Sequence, residues 1–212
     1  MSPVSLDVMR PNDAEITRRH DSRPDGDSWV AGYTQTPYRI EVREYDEGWP
    51  ADFDRVAARI RAALGDRVLE LHHVGSTSVP DLPAKPVIDI DLVVPAPADE
   101  ASYIPNLEAA GFVHAIREPW WHEHRLLKGG QPQCFLHVFG PDCPEVTRHL
   151  MFHDWLVGHA DDRELYAEAK RTAAAEMNAR PGGGTGMDYN RHKEPVVQAI
   201  YERMFRAQGM LP

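Results

Sequence analysis

The sequence has few of the features that mark secreted, membrane-spanning or disulfide-stabilised proteins. Only two of its 212 residues are cysteines, Cys134 and Cys143, and their spacing fits neither a disulfide framework nor a metal motif. No apolar run approaches the roughly 20 residues that cross a bilayer. Residues 1–12 lack the basic start and apolar stretch of a signal peptide. We therefore expect a cytoplasmic protein with two reduced thiols and no membrane association.

Positive charge is also scarce. The formal net charge is -10 at pH 7 and the isoelectric point is about 5.5. An acidic chain repels a phosphate backbone, so we expect no broad nucleic-acid binding. A small anionic ligand remains compatible with this charge if a metal ion accompanies it. Hydrophobic residues make up 42% of the chain, which is enough for one sizeable core.

Prolines and glycines divide the chain into an extension and a domain. Residues 1–37 are polar, and we predict a partly irregular extension there with at most one short helix near residues 13–20. Residues 38–212 are predicted to form a single domain, with a sheet core at 38–140 and a helical part at 144–208. Mixed elements followed by helices alone predict an α+β fold in which helices flank a mixed β-sheet.

Hydrophobic periodicity places the elements within this domain. Strands are predicted at residues 38–45, 68–74, 87–94, 112–116, 124–128 and 134–139. Helices are predicted at residues 50–64, 100–110, 145–157, 163–178 and 192–208. The glycines at 182–184 and 186 predict a flexible connector before the last helix.

The strongest strand signal carries two carboxylates on one face. Asp89 and Asp91 are two residues apart, so both project from the same side of the strand at 87–94. Two like charges on an otherwise apolar strand are costly unless a partner offsets them. Mg²⁺ or Mn²⁺ would do so and would keep waters that phosphate oxygens can replace. Alternatively, the pair caps a helix or binds arginines.

A glycine- and hydroxyl-rich segment precedes these aspartates. Glycine allows a backbone to approach a phosphate closely, and successive N–H groups with hydroxyls can bind an anion. Alone, such a segment is typical of an ordinary turn. Because a strand ends just before it and twelve residues separate Ser76 from Asp89 on the next strand, it predicts a phosphate site formed by Gly75, Ser76, Thr77 and Ser78.

These motifs carry a family resemblance. Gly75-Ser76 followed by Asp89-Ile90-Asp91 resembles the signature of the nucleotidyltransferase superfamily. The wider stretch at residues 73–89 resembles the GrpB family, also called UPF0157. Further similar segments lie along residues 38–206, and they are Tyr45-Asp46, Trp49-Pro50 with Phe53, residues 136–138, residues 152–156, Tyr166 with Lys170, and Tyr189 with Lys193. The chain departs from the family pattern at Asp81, where glycine is usual, and at His153, where arginine is usual.

The resemblance implies a nucleotidyltransferase-like fold and a third site position on a later strand. Active nucleotidyltransferases usually carry a third carboxylate there, whereas this chain has His137. We predict that His137 is a metal ligand or a general base, since imidazole titrates near neutrality. The alternative is a core histidine that is hydrogen-bonded to the backbone.

Several cationic and aromatic residues are weaker candidates for nucleotide binding. Lys85 could hold a phosphate or could be a solvated loop lysine. Arg125 and Lys128 could clamp a triphosphate or could balance the surplus acid. Tyr189 and Lys193 could reach over the site, with the tyrosine stacked on a base, or could pack a helix against the sheet.

We expect an Mg²⁺-dependent, nucleotidyltransferase-like enzyme that acts on a small-molecule acceptor with a nucleoside triphosphate as co-substrate. In this hypothesis Asp89 and Asp91 hold the metal, and His137 orients or deprotonates the acceptor. One alternative is a non-catalytic module that binds a nucleotide or coenzyme A. Another is a ligase-type pathway enzyme that reuses the metal site.

Overall fold

A computed structural model describes residues 11–19, 29–30 and 32–212. The remainder of the predicted extension, at residues 1–10, 20–28 and 31, lies outside this part. The helices are α1 (Asp13–Thr17), α2 (Trp49–Leu64), α3 (Ile104–Ala109), α4 (Pro144–Gly158), α5 (Ala160–Asn178) and α6 (Gly186–Ala207). The strands are β1 (Glu70–Val74), β2 (Ile88–Val93), β3 (Phe112–Glu118), β4 (His124–Gly129) and β5 (Cys134–Phe139).

The five strands form one mixed sheet in the order β1-β2-β5-β4-β3. β2 and β5 run parallel, and the other neighbouring pairs are antiparallel. Because β5 lies between β2 and β4, Asp91 is directly beside His137 in the register. The architecture confirms the predicted α+β class with a mixed sheet and flanking helices.

One face of the sheet holds the main hydrophobic core. Ile88, Ile90 and Leu92 of β2 point to this face and are at most 1% exposed. They pack in one cluster with side chains of α2 and α3, among them Val56 and Ile60. In α2 these residues recur at helical spacing, and Pro50 lies in the first turn, where its missing N–H costs nothing. Burial of each large aliphatic side chain contributes about 1.5–3 kcal/mol.

The opposite face is polar in the middle and is covered by the helical part. Residues of the segment after β1 pack in one cluster with α4, α5 and α6, and this cluster contains Val79, Leu82, Leu156, Tyr166 and Ile200. The helices therefore rest on the rim of the sheet face rather than on its centre. A cavity remains between them and the polar side chains of the strands.

The predicted strand at residues 38–45 is wrong. This segment forms only isolated bridges, from Tyr38 to Gly184 and from Arg43 to Ala84. Ile40 packs against Met177 and Tyr189 in the helical part. The Asn178 side chain accepts a hydrogen bond from the Ile40 N–H and donates one to its carbonyl, each at 2.8 Å. The segment thus pairs with α5 and the α5–α6 connection instead of with the sheet.

The last helix begins six residues earlier than predicted. Thr185 caps α6, and its side chain and that of Asp188 form a reciprocal capping box. The preceding glycines do not act as a loose connector. Gly183 has φ of 87°, and a Cβ there would overlap the backbone of Tyr38. Only glycine fits this close approach.

No helix within the described ranges is long and apolar enough to span a membrane.

Truncation of the central strand β5 tests this architecture. Leu136 is completely buried, whereas Val113 on the edge strand β3 is 55% exposed. We expect Leu136→Ala to lower the free energy of unfolding by about 2–5 kcal/mol, because a cavity would remain in the core. Val113→Ala should change it by less than about 0.5 kcal/mol. Urea unfolding measures both, and equal effects would contradict the central position of β5.

Candidate functional site

A cavity of about 540 Å³ lies between the polar face of the sheet and the helical part. Its walls come from β2, β4 and β5, from the segment after β1, from α4 to α6, and from part of residues 29–38. Trp29 and Tyr33, which precede the predicted domain, stack with ring centroids 5.2 Å apart on this wall. Nine of the predicted site residues line the cavity, namely Gly75, Ser76, Thr77, Lys85, Asp89, Lys128, His137, Tyr189 and Lys193.

The segment after β1 touches the first aspartate. Gly75 has φ of 69°, and a Cβ at this position would lie 2.8 Å from the Cβ atom of Asp89. Strand pairing sets this contact, because Val74 is directly opposite Asp89 in the register of β1 and β2. The fold therefore brings together the two halves of the motif that the sequence separates.

The hydroxyls of this segment have different roles. Thr77 is 1% exposed, and its Oγ1 lies 3.0 Å from His73 Nε2 and 3.3 Å from the Val87 carbonyl oxygen. Ser78 Oγ donates to the Gly75 carbonyl at 2.7 Å. These contacts hold the turn in shape. Ser76 is the serine of the segment that lines the cavity.

Asp91 already has a partner from the helical part. It is 0% exposed, and its Oδ2 lies 2.8 Å from Nδ1 of His149 on α4. Burial by itself would lower the pKa of His149, but the Asp91 charge and hydrogen bond outweigh this effect and raise it to about 8. His149 therefore carries positive charge at neutral pH. The other oxygen of Asp91, Oδ1, is buried without a hydrogen-bond partner.

Asp89 is in a different electrostatic environment. Burial raises its pKa to about 6, while the positive charges of Lys85 and Lys193 act in the opposite direction. The two carboxylates of β2 thus have separate cationic neighbours, histidine for one and lysine for the other. Arginine was the alternative partner for the two aspartates, but their cationic neighbours are histidine and lysine instead.

His137 belongs to a chain of three hydrogen-bonded side chains. Its Nδ1 lies 3.0 Å from Nε2 of His124, and His124 Nδ1 lies 2.6 Å from Glu118 Oε2. Burial lowers the pKa of each histidine to about 3, so both imidazoles are neutral at pH 7. Burial also raises the pKa of Glu118 to about 7. The partner of His137 is a side chain, not the backbone.

The predicted metal ligands do not form a closed cage. The described part of the chain contains no cluster of three or more histidine, cysteine or acidic side chains that could hold a metal ion. His149 and His124 already contact Asp91 and His137. However, Mg²⁺ commonly uses one or two protein carboxylates together with waters and substrate phosphates. Asp89 lines the cavity and suits such an ion, whereas Asp91 is fully buried, is absent from the cavity wall and already contacts His149.

All lysines of the protein line this one cavity. Lysine and arginine together number 23, but only four are lysines: Lys85, Lys128, Lys170 and Lys193. None of the arginines in the described ranges lines it. Each lysine Nζ lies over an aromatic ring. The distances to the ring centroid are 5.1 Å from Lys85 to Tyr189, 5.0 Å from Lys128 to Phe135, 4.3 Å from Lys170 to Tyr166 and 5.3 Å from Lys193 to Tyr166. Among described residues no lysine lies within 4.0 Å of a carboxylate oxygen.

Sequence patterns missed two members of this site. His149 had no motif around it, and only the packing of α4 over β2 reveals it as the partner of Asp91. Lys170 enters the sequence analysis only through the family resemblance. The small number of lysines in the sequence is a signal that could have pointed to it.

Arg125 lies on the opposite face of the sheet. Its Nε donates to Glu100 Oε1 at 2.6 Å, and its Nη1 donates to the Glu123 carbonyl at 2.7 Å. Glu100 also binds Arg117, and these two arginines lower the pKa of Glu100 to about 2. Arg125 therefore supports the contact of β4 with the segment before α3, and it does not reach the cavity. Two other predicted site residues, Ser78 and Asp91, lie on the cavity side of the sheet but are not part of the cavity wall.

The structure is an α+β protein with a mixed sheet, helices on both faces and a lysine-lined cavity on one of them. Residues 39–203 match the family described as GrpB protein, and the chain belongs to this family. The resemblance seen in the sequence is thereby confirmed.

Relatives with solved structures or curated descriptions agree with this assignment. A UPF0157 protein of Halalkalibacterium halodurans is 52% identical over 77% of this chain and 82% of its own length. A UPF0157 protein of Streptomyces coelicolor is 37% identical over 77% of this chain and 83% of its own. The crystal structure of the conserved protein GrpB from Enterococcus faecalis aligns with a TM-score of 0.68, 24% identity and coverage of 79% and 99%, which supports the fold.

A third kind of relative is larger. A dephospho-CoA kinase of Mycolicibacterium paratuberculosis is 30% identical over 74% of this chain. The match spans only 44% of that protein.

Substitution of Gly75 tests the contact between the turn and Asp89. We expect Gly75→Ala to lower the free energy of unfolding by about 2–4 kcal/mol, because backbone strain and overlap with Asp89 combine. Gly65 is a matched control, since it also has positive φ, 55°, but has no atom within 4 Å of a Cβ built there. Chemical unfolding should show the smaller loss for Gly65→Ala. Equal losses would mean that the Asp89 contact contributes nothing.

The His149–Asp91 pair predicts a pH-dependent stability. The pKa of His149 rises from its ordinary 6.5 to about 8, so the pair stabilises the fold fully below pH 6.5 and loses this effect as the pH rises through 8. The difference in unfolding free energy between wild type and His149→Gln should shrink by about 2 kcal/mol over this window. His72→Gln, at the partly exposed His72–Glu70 contact, is the control. A constant difference between pH 6 and 9 would contradict the ion pair.

Proposed function

We propose that the cavity binds a nucleoside triphosphate together with Mg²⁺ or Mn²⁺, and that the protein transfers a nucleotidyl group to a small-molecule acceptor. The observation that carries this proposal is the confinement of all four lysines to one aromatic-lined cavity that also contains Asp89. Lysine ammonium groups bind phosphate oxygens as compact charges with three donors. They are concentrated here although the chain as a whole is acidic.

The size and lining of the cavity support a ligand of this class. Small-molecule sites commonly enclose about 300–1,000 Å³ and combine apolar walls with a few polar groups. The volume of about 540 Å³ lies within this range. Tyr189, Tyr166 and Phe135 provide ring surfaces beside the lysines. A planar base can stack on such rings while the phosphates face the ammonium groups.

Each residue then has a defined task. Asp89 lines the cavity and would hold the metal ion, which would supply positive charge beside the phosphate oxygens, while the buried Asp91 keeps His149 charged. Gly75 permits the turn to approach Asp89, and Ser76 offers its hydroxyl and N–H to the outer phosphates. His137 is neutral and lines the cavity, where its ring orients the acceptor hydroxyl or amine. His124 and Glu118 fix the orientation of its ring.

A second function is a binding module that holds a nucleotide or coenzyme A without chemistry. Two observations favour it. His137 takes the place of a third carboxylate, and His149 already neutralises Asp91. The similarity to part of a dephospho-CoA kinase is compatible with a role in binding an adenine nucleotide or its coenzyme derivative.

Isothermal titration calorimetry with Mg²⁺-ATP and Mg²⁺-CTP tests the shared requirement of both functions. We expect Asp89→Asn to weaken binding at least about tenfold, because a carboxylate contact to the metal is lost. The exposed Asp99 lies outside the cavity, so Asp99→Asn is the matched control. Equal affinity for wild type and Asp89→Asn would overturn the metal-nucleotide proposal.

A turnover screen separates the two functions. Wild-type protein is incubated with nucleoside triphosphates, Mg²⁺ and mixed small-molecule acceptors, and products are identified by mass spectrometry. A nucleotidyl product that disappears in Asp89→Asn and His137→Ala supports the transferase. Tight binding without any product supports the binding module.

A further inference from the structure

The Lys170 side chain is the buried group in this cavity that the proposed reaction does not use. It projects from α5, is 2% exposed, and its Nζ is buried without a hydrogen-bond partner. It also lines the cavity, and the ring of Tyr166 lies 4.3 Å from its Nζ. A buried amine without an acceptor destabilises the folded protein. The fold keeps this cost although methionine or leucine would fill the same space.

The surroundings of Lys170 favour an anion. The charged groups that act on it are Lys193 from α6 and Arg171 from its own helix, and both are positive. Burial first, and then these two charges, hold the pKa of Lys170 well below its usual range. Lys193 donates at 3.0 Å to the Tyr166 hydroxyl, so both lysines share one ring. The pocket around Lys170 therefore has donors and positive potential, and Lys170 Nζ has no acceptor in it.

Lys193 also connects this pocket to the rest of the cavity. Its Nζ lies 5.3 Å from the ring centroid of Tyr166, a ring that it shares with Lys170, and 5.7 Å from that of Tyr189, a ring that it shares with Lys85. Its charge also acts on both Asp89 and Lys170. The three lysines therefore line one stretch of the cavity wall, where a chain of phosphates can contact successive ammonium groups.

We propose that Lys170 and Lys193 form a subsite for the terminal phosphoryl group of a polyphosphate chain. The inference rests on the proposed function, because it assigns one end of the same ligand. Lysine suits this position better than arginine, since a single rotatable ammonium fits between Tyr166 and the phosphate oxygens. When the anion enters, Lys170 gains an acceptor and takes up a proton.

The first test measures affinity for inorganic tripolyphosphate, a probe without base or sugar. Lys170→Met keeps a flexible, unbranched side chain that is one atom shorter, and it removes the amine. We expect it to weaken tripolyphosphate binding about 10- to 100-fold in calorimetry, as a charge-assisted hydrogen bond is lost. Arg171→Met is the matched control. It removes the neighbouring positive charge, which faces Glu44 and Glu164 outside the cavity, and it should change the affinity by less than about threefold.

The second test reports on protonation. Titrations in two buffers of different ionisation enthalpy give the number of protons taken up when tripolyphosphate binds. Asp89 and His149 also titrate in this cavity, so the readout is the difference between wild type and Lys170→Met. Wild type should take up more protons than Lys170→Met, because burial holds the pKa of Lys170 low in the empty cavity and an anion raises it. Unchanged proton uptake would contradict the role given to Lys170.

The melting temperature of the ligand-free protein tests whether Lys170 has a merely structural role. If Lys170 is kept for a ligand, Lys170→Met should raise the melting temperature of the ligand-free protein by about 2–4 °C or more. A lower melting temperature would show that the fold itself uses the amine and would count against the subsite.

The outcomes also separate this inference from the proposed function. If Mg²⁺-nucleotide binding depends on Asp89 but is equal in wild type and Lys170→Met, only the terminal subsite is overturned. If wild type binds neither nucleotide nor tripolyphosphate, both proposals fall together.

Discussion

Two carboxylates on the polar face of β2 set the conditions that the rest of this face must meet. Asp91 is completely buried, and Asp89 lies against the backbone of Gly75. Buried carboxylates require cationic partners, and neither β1 nor β5 supplies a permanently charged one beside them. His149 from α4 pairs with Asp91, whereas Lys193 from α6 and Lys85 from the segment before β2 act on Asp89 by charge without an ion-pair contact. The helical part is therefore held over the sheet by charge as well as by apolar contacts.

The division between lysine and arginine follows from the same constraint. Arginine takes the ion pairs outside the cavity, such as Arg125 and Arg117 with Glu100, where a planar fork matches a carboxylate. Lysine occurs only around the cavity, where each ammonium faces an aromatic ring instead of a carboxylate. Cation–π contacts hold a lysine without saturating its donors. These ammonium groups thus remain able to bind an incoming anion, whereas arginines in ion pairs cannot.

The sequence predicts those parts of the fold that depend on local patterns. The apolar alternation of β2 and the helical spacing in α2 gave both elements nearly to the residue, because each buries one regular face. The extended segment around Ile40 shows the same alternation as a strand, yet its partner is α5. Alternating apolar residues indicate that one side of a segment is buried, but they do not indicate whether a strand or a helix covers that side.

The site divides in the same way. The turn at Gly75 and the aspartates of β2 could be predicted because they are close in the chain and bear a specific motif. Their contact needed only the antiparallel pairing of neighbouring strands. The pairing of Asp91 with His149 spans 58 residues and depends on where α4 crosses the sheet. No local pattern contains that information, since any of the 11 histidines could have been the partner.

The protonation states on this face are compatible with chemistry at neutral pH. Burial keeps His137 and His124 neutral, whereas the nearby His149 is charged because a buried carboxylate lies beside it. The ring centroids of His124 and His137 are 5.2 Å apart, and those of His137 and His149 are 6.4 Å apart. The three neighbouring rings thus differ in charge because their partners differ. A neutral imidazole can accept a proton, and an imidazolium can stabilise negative charge. An anion that enters beside the lysines would therefore meet an imidazolium and a neutral imidazole in one cavity, although no third carboxylate is present.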